Sequence, residues 1–175
     1  SAHSWVGALG SEHTQEYFLK LAARLAAERR HTDVYPPRNL VFHAFDLAAL
    51  RNLLFVIVGQ DPLYNPDLAT GVAFSLKEDE ANWPPSCRNF LKVLQADLKL
   101  GPPPHACLEA WAKKGGLLLN AALTVRRGAP NSHADLWEPY TRNVLKVISD
   151  QCDGVAFILL GNVAHKLGSG VIDTS

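Results

Sequence analysis

The sequence contains no methionine, three cysteines, no net charge and no apolar run longer than six residues, and each shortage narrows what the chain can be. Cys87, Cys107 and Cys152 are odd in number and form no C-x-x-C pair, which argues against a disulfide framework or a cysteine zinc site and predicts a reducing, intracellular compartment, nucleus or cytoplasm according to source. Seventeen Lys plus Arg against seventeen Asp plus Glu exclude a broad basic surface that would hold nucleic acid by counterion release alone. Any nucleic-acid contact must be local. The longest apolar stretches, Leu53 to Val58 and Val155 to Leu160, fall far short of the roughly 18 residues that cross a bilayer, so no membrane role is expected. The absence of an initiator methionine predicts a trimmed or processed chain.

What is present is enough for one core: 175 residues, 47% of them apolar, predict a single domain over residues 1–175. Between Ser11 and Arg29, Phe18, Leu19, Ala22, Leu25 and Ala26 recur at helical spacing, and Val34-Tyr35-Pro36-Pro37 reads as an extended turn. Phe42, Phe45, Leu47 and Leu50 suggest a short helix. Leu53 to Val58, Val72 to Phe74, Leu117 to Leu119 and Val155 to Leu160 read as strands, three of them continuous apolar runs buried on both faces. Helices alternate with them. One opens at Pro84-Pro85-Ser86, with Ser86 as its N-cap and Phe90, Val93, Leu94 and Leu98 as its apolar face; another runs from Glu138 to Cys152. The expected architecture is α/β, a three-layer α/β/α sandwich around a mainly parallel sheet.

In such sheets ligands gather beyond the carboxyl ends of the strands. Those positions carry Gly59-Gln60-Asp61-Pro62, Phe74-Ser75, Asn120 and Gly161-Asn162. A carboxylate, an amide with a donor and an acceptor, and a ring that stacks suit a flat heterocycle held beside a reactive bond. Taken singly, Asp61 serves equally well to cap a turn, Asn120 to satisfy its own loop, and Phe74 to fill a core.

The order of the motifs adds more. Gly59-Gln60-Asp61-Pro62, Gly71 to Ser75, Pro84 to Asn89, and Leu117 to Asn120 followed by Leu123-Thr124-Val125 resemble the ordered blocks of family 1 uracil-DNA glycosylase. Val34 to Pro37, Ser132-His133, Trp137-Glu138 and Phe157 to Gly161 fit the same template, so the resemblance spans about Trp5 to Gly168. It implies hydrolysis of the N-glycosidic bond of a flipped-out deoxyuridine in DNA, leaving an abasic site for base-excision repair, without a metal or organic cofactor. Carried over by residue, Asp61 is the catalytic carboxylate. Gln60 offers main-chain contact to the base, Phe74 stacks on it, and Asn120 pairs with its N3 and O4 edge. Pro84, Pro85 and Ser86 press on the DNA backbone, and His133 is a histidine close to the catalytic loop, on the DNA-binding side. The implied partners are uracil-containing DNA, single or double stranded, and a proteinaceous inhibitor of such enzymes, with the enzyme itself a monomer. Arg126 and Arg127 offer phosphate contacts or only a solvated face.

Two departures qualify the template. Leu63, Tyr64 and Asn65 stand where the family has Tyr, usually His, and Gly. The family Tyr packs against C5 of uracil and excludes the methyl of thymine; here either Leu63, a bulky but looser wall, or Tyr64, swung into the vacant place, stands against C5. The family's C-terminal strand and His-Pro-Ser-Pro loop have no counterpart before Ser175, and His165 does not have the spacing to replace that histidine. These departures motivate the alternative of a weakly active or inactive glycosylase-fold module that binds DNA or a protein. A nucleotide-cofactor enzyme is excluded on motif, because the sequence has no G-x-G-x-x-G or G-x-x-x-x-G-K-[ST].

Overall fold

A computed structural model of the chain describes residues 4–99 and 101–173. Its sheet is built from three of the apolar runs. β2 (Phe55–Gly59) lies in the middle, with β3 (Gly116–Asn120) on one side and β5 (Ala156–Leu159) on the other, all parallel. In β2 and β3 alternate side chains enter two cores. Val56, Val58, Leu117 and Leu119 face one, with Leu118 and Phe55 in the other. None of Val56, Val58, Leu117 and Leu119 is more than 1% exposed, so each is worth about 1.5–3 kcal/mol of transfer free energy.

The first layer consists of α2 (Glu16–Glu28), α6 (Ala134–Gln151) and α7 (Asn162–Gly168), with α1 (Trp5–Leu9) against its edge. The second holds α4 (Pro85–Leu98) and α5 (Glu109–Lys113), together with the long segment that runs from β2 into α4; α3 (His43–Leu47) packs on α5 and β3. A two-stranded antiparallel ladder, β1 (Val34–Tyr35) with β4 (Val125–Arg126), ties the end of α2 to the chain beyond β3. The three cysteines form no disulfide, and no helix among the described residues is long and apolar enough to cross a membrane.

Several expectations need correction. Val72 to Phe74 is not a strand: Phe74 takes a left-handed φ of 61°, and the amide of Ser75 bonds back to the Val72 carbonyl, so the segment turns beneath β3. Val34-Tyr35 is paired strand rather than a free turn. Ser86 does not cap α4; Pro84 occupies the cap, and Pro85 takes the first helical position, where its missing N–H costs nothing. The buried face of α4 is Cys87, Phe90, Leu91 and Leu94, whereas Val93 and Leu98 are exposed. β5 is an edge strand whose alternate residues, such as Ile158 at 43% exposure, reach solvent, so only one of its faces is core.

Candidate functional site

β2 and β3 end side by side, with Gly59 in register with Asn120. The parallel pairing continues one step further, because the amides of Ala121 and Ala122 donate to the carbonyls of Gly59 and Gln60 at 2.9 and 3.1 Å. These bonds carry Gln60 and Asp61 out of the sheet at a fixed height. Gly59 is demanded by close approach: a Cβ there would lie 2.8 Å from Asn120 Oδ1 and 3.0 Å from two atoms of the Phe74 ring. The amide and the ring therefore converge on one backbone position.

A cavity of about 130 Å³ opens there, lined by Asp61, Leu63, Phe74, Ser86 and Asn120 together with Gln60 and Pro62. Its size is close to the roughly 150 Å³ of an engineered cavity that holds benzene, so one six-membered ring fits. Phe74 is stacked on Phe90 at 4.7 Å and 14°, which fixes its ring against the helix behind it. Its positive φ costs about 1–2 kcal/mol in a residue with a Cβ, an outlay of the kind that accompanies functional geometry.

The carboxylate of Asp61 is asymmetric. Oδ2 accepts the main-chain N–H of Asn131 at 2.6 Å, with a long contact of 3.4 Å from Gln60 Nε2. Oδ1 is shielded from solvent and accepts nothing from the described residues, which leaves it for a donor on a bound molecule. The Gln60 side-chain amide donates to Asn131 Oδ1 at 2.9 Å, which fixes the side chain against the same turn. Asn131 itself, in a left-handed turn with φ of 63°, went unrecognised in the sequence, although asparagine is the residue that tolerates this conformation best after glycine.

His133, expected on the DNA-binding side, is instead buried. It is 1% exposed, and both ring nitrogens are engaged: Nδ1 with Thr124 Oγ1 at 2.8 Å and Nε2 with Glu28 Oε2 at 2.6 Å. The Glu28 carboxylate can only accept, so the neutral ring carries its proton on Nε2 and takes the Thr124 hydroxyl proton at Nδ1, while Trp137 donates its indole N–H to Thr124 Oγ1 at 2.7 Å. Burial holds the His133 imidazolium below the ordinary range despite the carboxylate beside it. Burial alone would raise Glu28, but hydrogen bonds from Arg126 and His133 outweigh it and keep its carboxyl below the usual 4.5. Arg126 is thereby used internally on Glu28, and Arg127 pairs with Asp33 at 3.0 Å, so neither is a free phosphate contact.

Of the residues expected at the site, Asp61, Gln60, Leu63, Phe74, Ser86 and Asn120 share one cavity; Pro84 and Pro85 lie just outside it, and His133 is in the core behind it. Residues 45–174 match the family model described as the uracil DNA glycosylase superfamily. Proteins named uracil-DNA glycosylase from Buchnera aphidicola and Klebsiella pneumoniae are each 43% identical, over 93% and 97% of this chain and 72% and 75% of their own length. The crystal structure of mimivirus uracil-DNA glycosylase superposes with a TM-score of 0.85 at 26% identity, covering 93% of this chain and 61% of that one. A Tyr-to-Leu variant of mimivirus UNG in complex with UGI superposes with a TM-score of 0.87, again at 26% identity, and this chain spans 65% of it.

Proposed function

The chain belongs to the uracil DNA glycosylase superfamily, and from that premise we propose that it hydrolyses the N-glycosidic bond of a deoxyuridine swung out of DNA, leaving an abasic site. The observation that carries this reading is the carboxylate of Asp61, with one oxygen tied to Asn131 and the other buried and unpartnered, in a ring-sized cavity shared with Phe74 and Asn120. Eversion is required because the sugar C1′ and the base edges are shielded within a stack, and unstacking costs a few kcal/mol that the cavity must offset. Phe74, backed by Phe90, takes the face of the base. Asn120 reads its N3 and O4 edge, where uracil and cytosine present opposite patterns of donors and acceptors. Leu63 stands against C5.

Asp61 Oδ1 orients a water toward C1′ and accepts its proton, while the negative charge stabilises the sugar cation as the C1′–N1 bond lengthens. The new bond is C1′–O, the broken one C1′–N1, and its electron pair leaves with the uracil, which is then protonated. Ser86, exposed at the start of α4, and the Pro84-Pro85 pair bear on the backbone beside the everted nucleotide. We infer further that the domain works as a monomer over residues 1–175 and that a proteinaceous inhibitor is among its partners, as UGI is for the mimivirus protein.

The test is abasic-site formation by this chain on a uracil-containing single strand, read by alkaline cleavage. Excision that falls about 10²–10⁴-fold in Asp61→Asn, with uracil-DNA binding kept, is the expected result. Binding without cleavage in the unaltered chain would assign a binding module instead.

A further inference from the structure

Next to the cavity runs an open groove of about 540 Å³, lined by Asn65, Leu68, Trp83, Pro84, Pro85 and Arg88 among others. Three stretches of chain form the wall between the two spaces. Leu63, Ala69 and Ser86 line the cavity, and Asn65, Leu68 and Pro85 line the groove. The groove is therefore the cavity's neighbour across three stretches of chain, and the unit next to one held in the cavity has it alongside.

Trp83 is half-buried and held by its edge. Its indole N–H donates to the Glu80 carbonyl at 2.8 Å, and Glu80 Oε1 accepts the Asn82 amide at 2.8 Å, which closes the turn that presents the ring. Part of the ring packs on the second core, and no ring-to-ring contact among the described residues involves it. Arg88, one turn into α4, is exposed, has no ion pair among the described residues and is the one charged side chain lining the groove. Glu78 and Asp79 do not line it, and the Glu80 carboxylate is turned onto the Asn82 amide.

We propose that this groove is a second subsite, which takes the nucleotide adjacent to the everted one: its base stacks on the Trp83 indole and its phosphate meets Arg88. An aromatic face with a neighbouring guanidinium is the chemistry that grips a single-stranded base whatever its sequence. This inference rests on the glycosylase reading for its substrate, and the occupant is the one that substrate itself delivers.

Two measurements test it. The first compares excision from a single-stranded oligonucleotide with a central uracil and from the same oligonucleotide with tetrahydrofuran, which lacks a base, on both sides of the uracil. The unaltered chain shows KM about tenfold higher without flanking bases, in the range that base-aromatic stacking supplies. Trp83→Ala shows the higher KM on both substrates with kcat unchanged, Trp83→Phe keeps most of the difference, and Arg88→Ala raises KM on both. A Trp83→Ala protein that still distinguishes the two oligonucleotides overturns the subsite. The second measurement does not need turnover: tryptophan fluorescence is quenched by a uracil-free oligonucleotide in the unaltered chain and much less in Trp83→Phe. Equal quenching overturns the subsite even if the chain excises nothing, and absent excision with unequal quenching overturns only the glycosylase reading. Sedimentation showing a dimer that Trp83→Ala dissociates would assign the groove to a second copy and likewise overturn the proposal.

Discussion

The main-chain N–H of Asn131 donates to Asp61 Oδ2 at 2.6 Å, across 70 residues of sequence. The turn that holds this donor is itself anchored from within. Ser132 Oγ accepts the Arg126 amide at 2.8 Å, and His133 is bonded between Thr124 and Glu28 in the core. On the proposed mechanism Asp61 must be held to within a fraction of an ångström, and it is aimed by a turn whose footing is a buried histidine.

Glu28→Gln removes the charge that both His133 and Arg126 address. Hydrogen bonds to charged groups are worth about 1.5–3 kcal/mol, so the unfolding free energy should fall by that order in urea titrations. Because Glu28 acts on Asp61 only through the turn, excision should lose kcat severalfold with KM unchanged. A variant with unaltered kcat would show that the turn keeps its shape without the carboxylate.

The same pair sets a pH dependence. The folded chain holds His133 below its ordinary 6.5 because of burial, so below that pH the unfolded chain binds a proton that the folded one refuses. Stability is fully present above about pH 6.5 and is lost as pH falls, with a slope approaching about 1.4 kcal/mol per pH unit while one proton is in play. Glu28, also held below its ordinary value, adds a further loss under pH 4.5, where the unfolded carboxyl is protonated first. Urea midpoints between pH 8 and pH 4 should show this decline, and His133→Asn should flatten its upper part.

The strands around Val56, Leu118 and Ile158 are legible in the sequence because each is an apolar run closed by a glycine or an asparagine, and that places Asp61 and Asn120 at strand ends; that the two strands are neighbours in register is added by the structure. What is not legible is what depends on partners far away in the chain. Val72-Ala73-Phe74 has the composition of a strand, yet it bends because the Ala73 amide donates to the Leu118 carbonyl and Phe74 must reach Phe90. His133 sits in a polar stretch and reads as surface; its burial is decided by Glu28, 105 residues earlier. Val93 and Leu98 lie at helical spacing with Phe90 and Leu94, but hydrophobicity does not say which side of α4 meets the sheet, and Cys87 and Leu91 take that side.

Gly59→Ala should damage the site more than the fold. The added methyl would stand 2.8 Å from Asn120 Oδ1 and 3.0 Å from the Phe74 ring, so both groups must shift outward. KM for a uracil oligonucleotide should rise about tenfold or more, since shape-matched stacking and pairing are disturbed together, while circular dichroism of the folded chain is unchanged. An unaltered KM would mean that the two groups do not hold the base.

Asn120→Asp exchanges an amide donor for an acceptor at the edge that tells uracil from cytosine. Cytosine presents an N4 amino donor where uracil presents the O4 acceptor, so the carboxylate favours the former. The ratio of uracil to cytosine excision should drop at least about tenfold, as expected when a mis-set base contact costs about 1–3 kcal/mol. Matched single-turnover rates on the two oligonucleotides give the ratio directly, and an unmoved ratio would remove Asn120 from base reading.

Leu63 lines the cavity and packs part of its side chain on the second core. An aliphatic wall against C5 discriminates by volume alone, and one methyl in an apolar pocket is worth only about 1–3 kcal/mol, or roughly 10–200-fold. Leu63→Ala removes that wall, so thymine excision should rise about tenfold from whatever level the unaltered chain shows, while uracil excision changes less because its C5 carries only a hydrogen. Truncation also withdraws apolar contact from the core, and a stability loss of about 1–2 kcal/mol should accompany it. Leu63→Tyr supplies the opposite arm: a flat, stiffer edge at the same place should lower thymine excision without slowing uracil. Single-turnover rates of both variants on paired uracil and thymine oligonucleotides separate the two effects, and a thymine rate that neither substitution moves would show that the methyl is excluded somewhere else in the cavity.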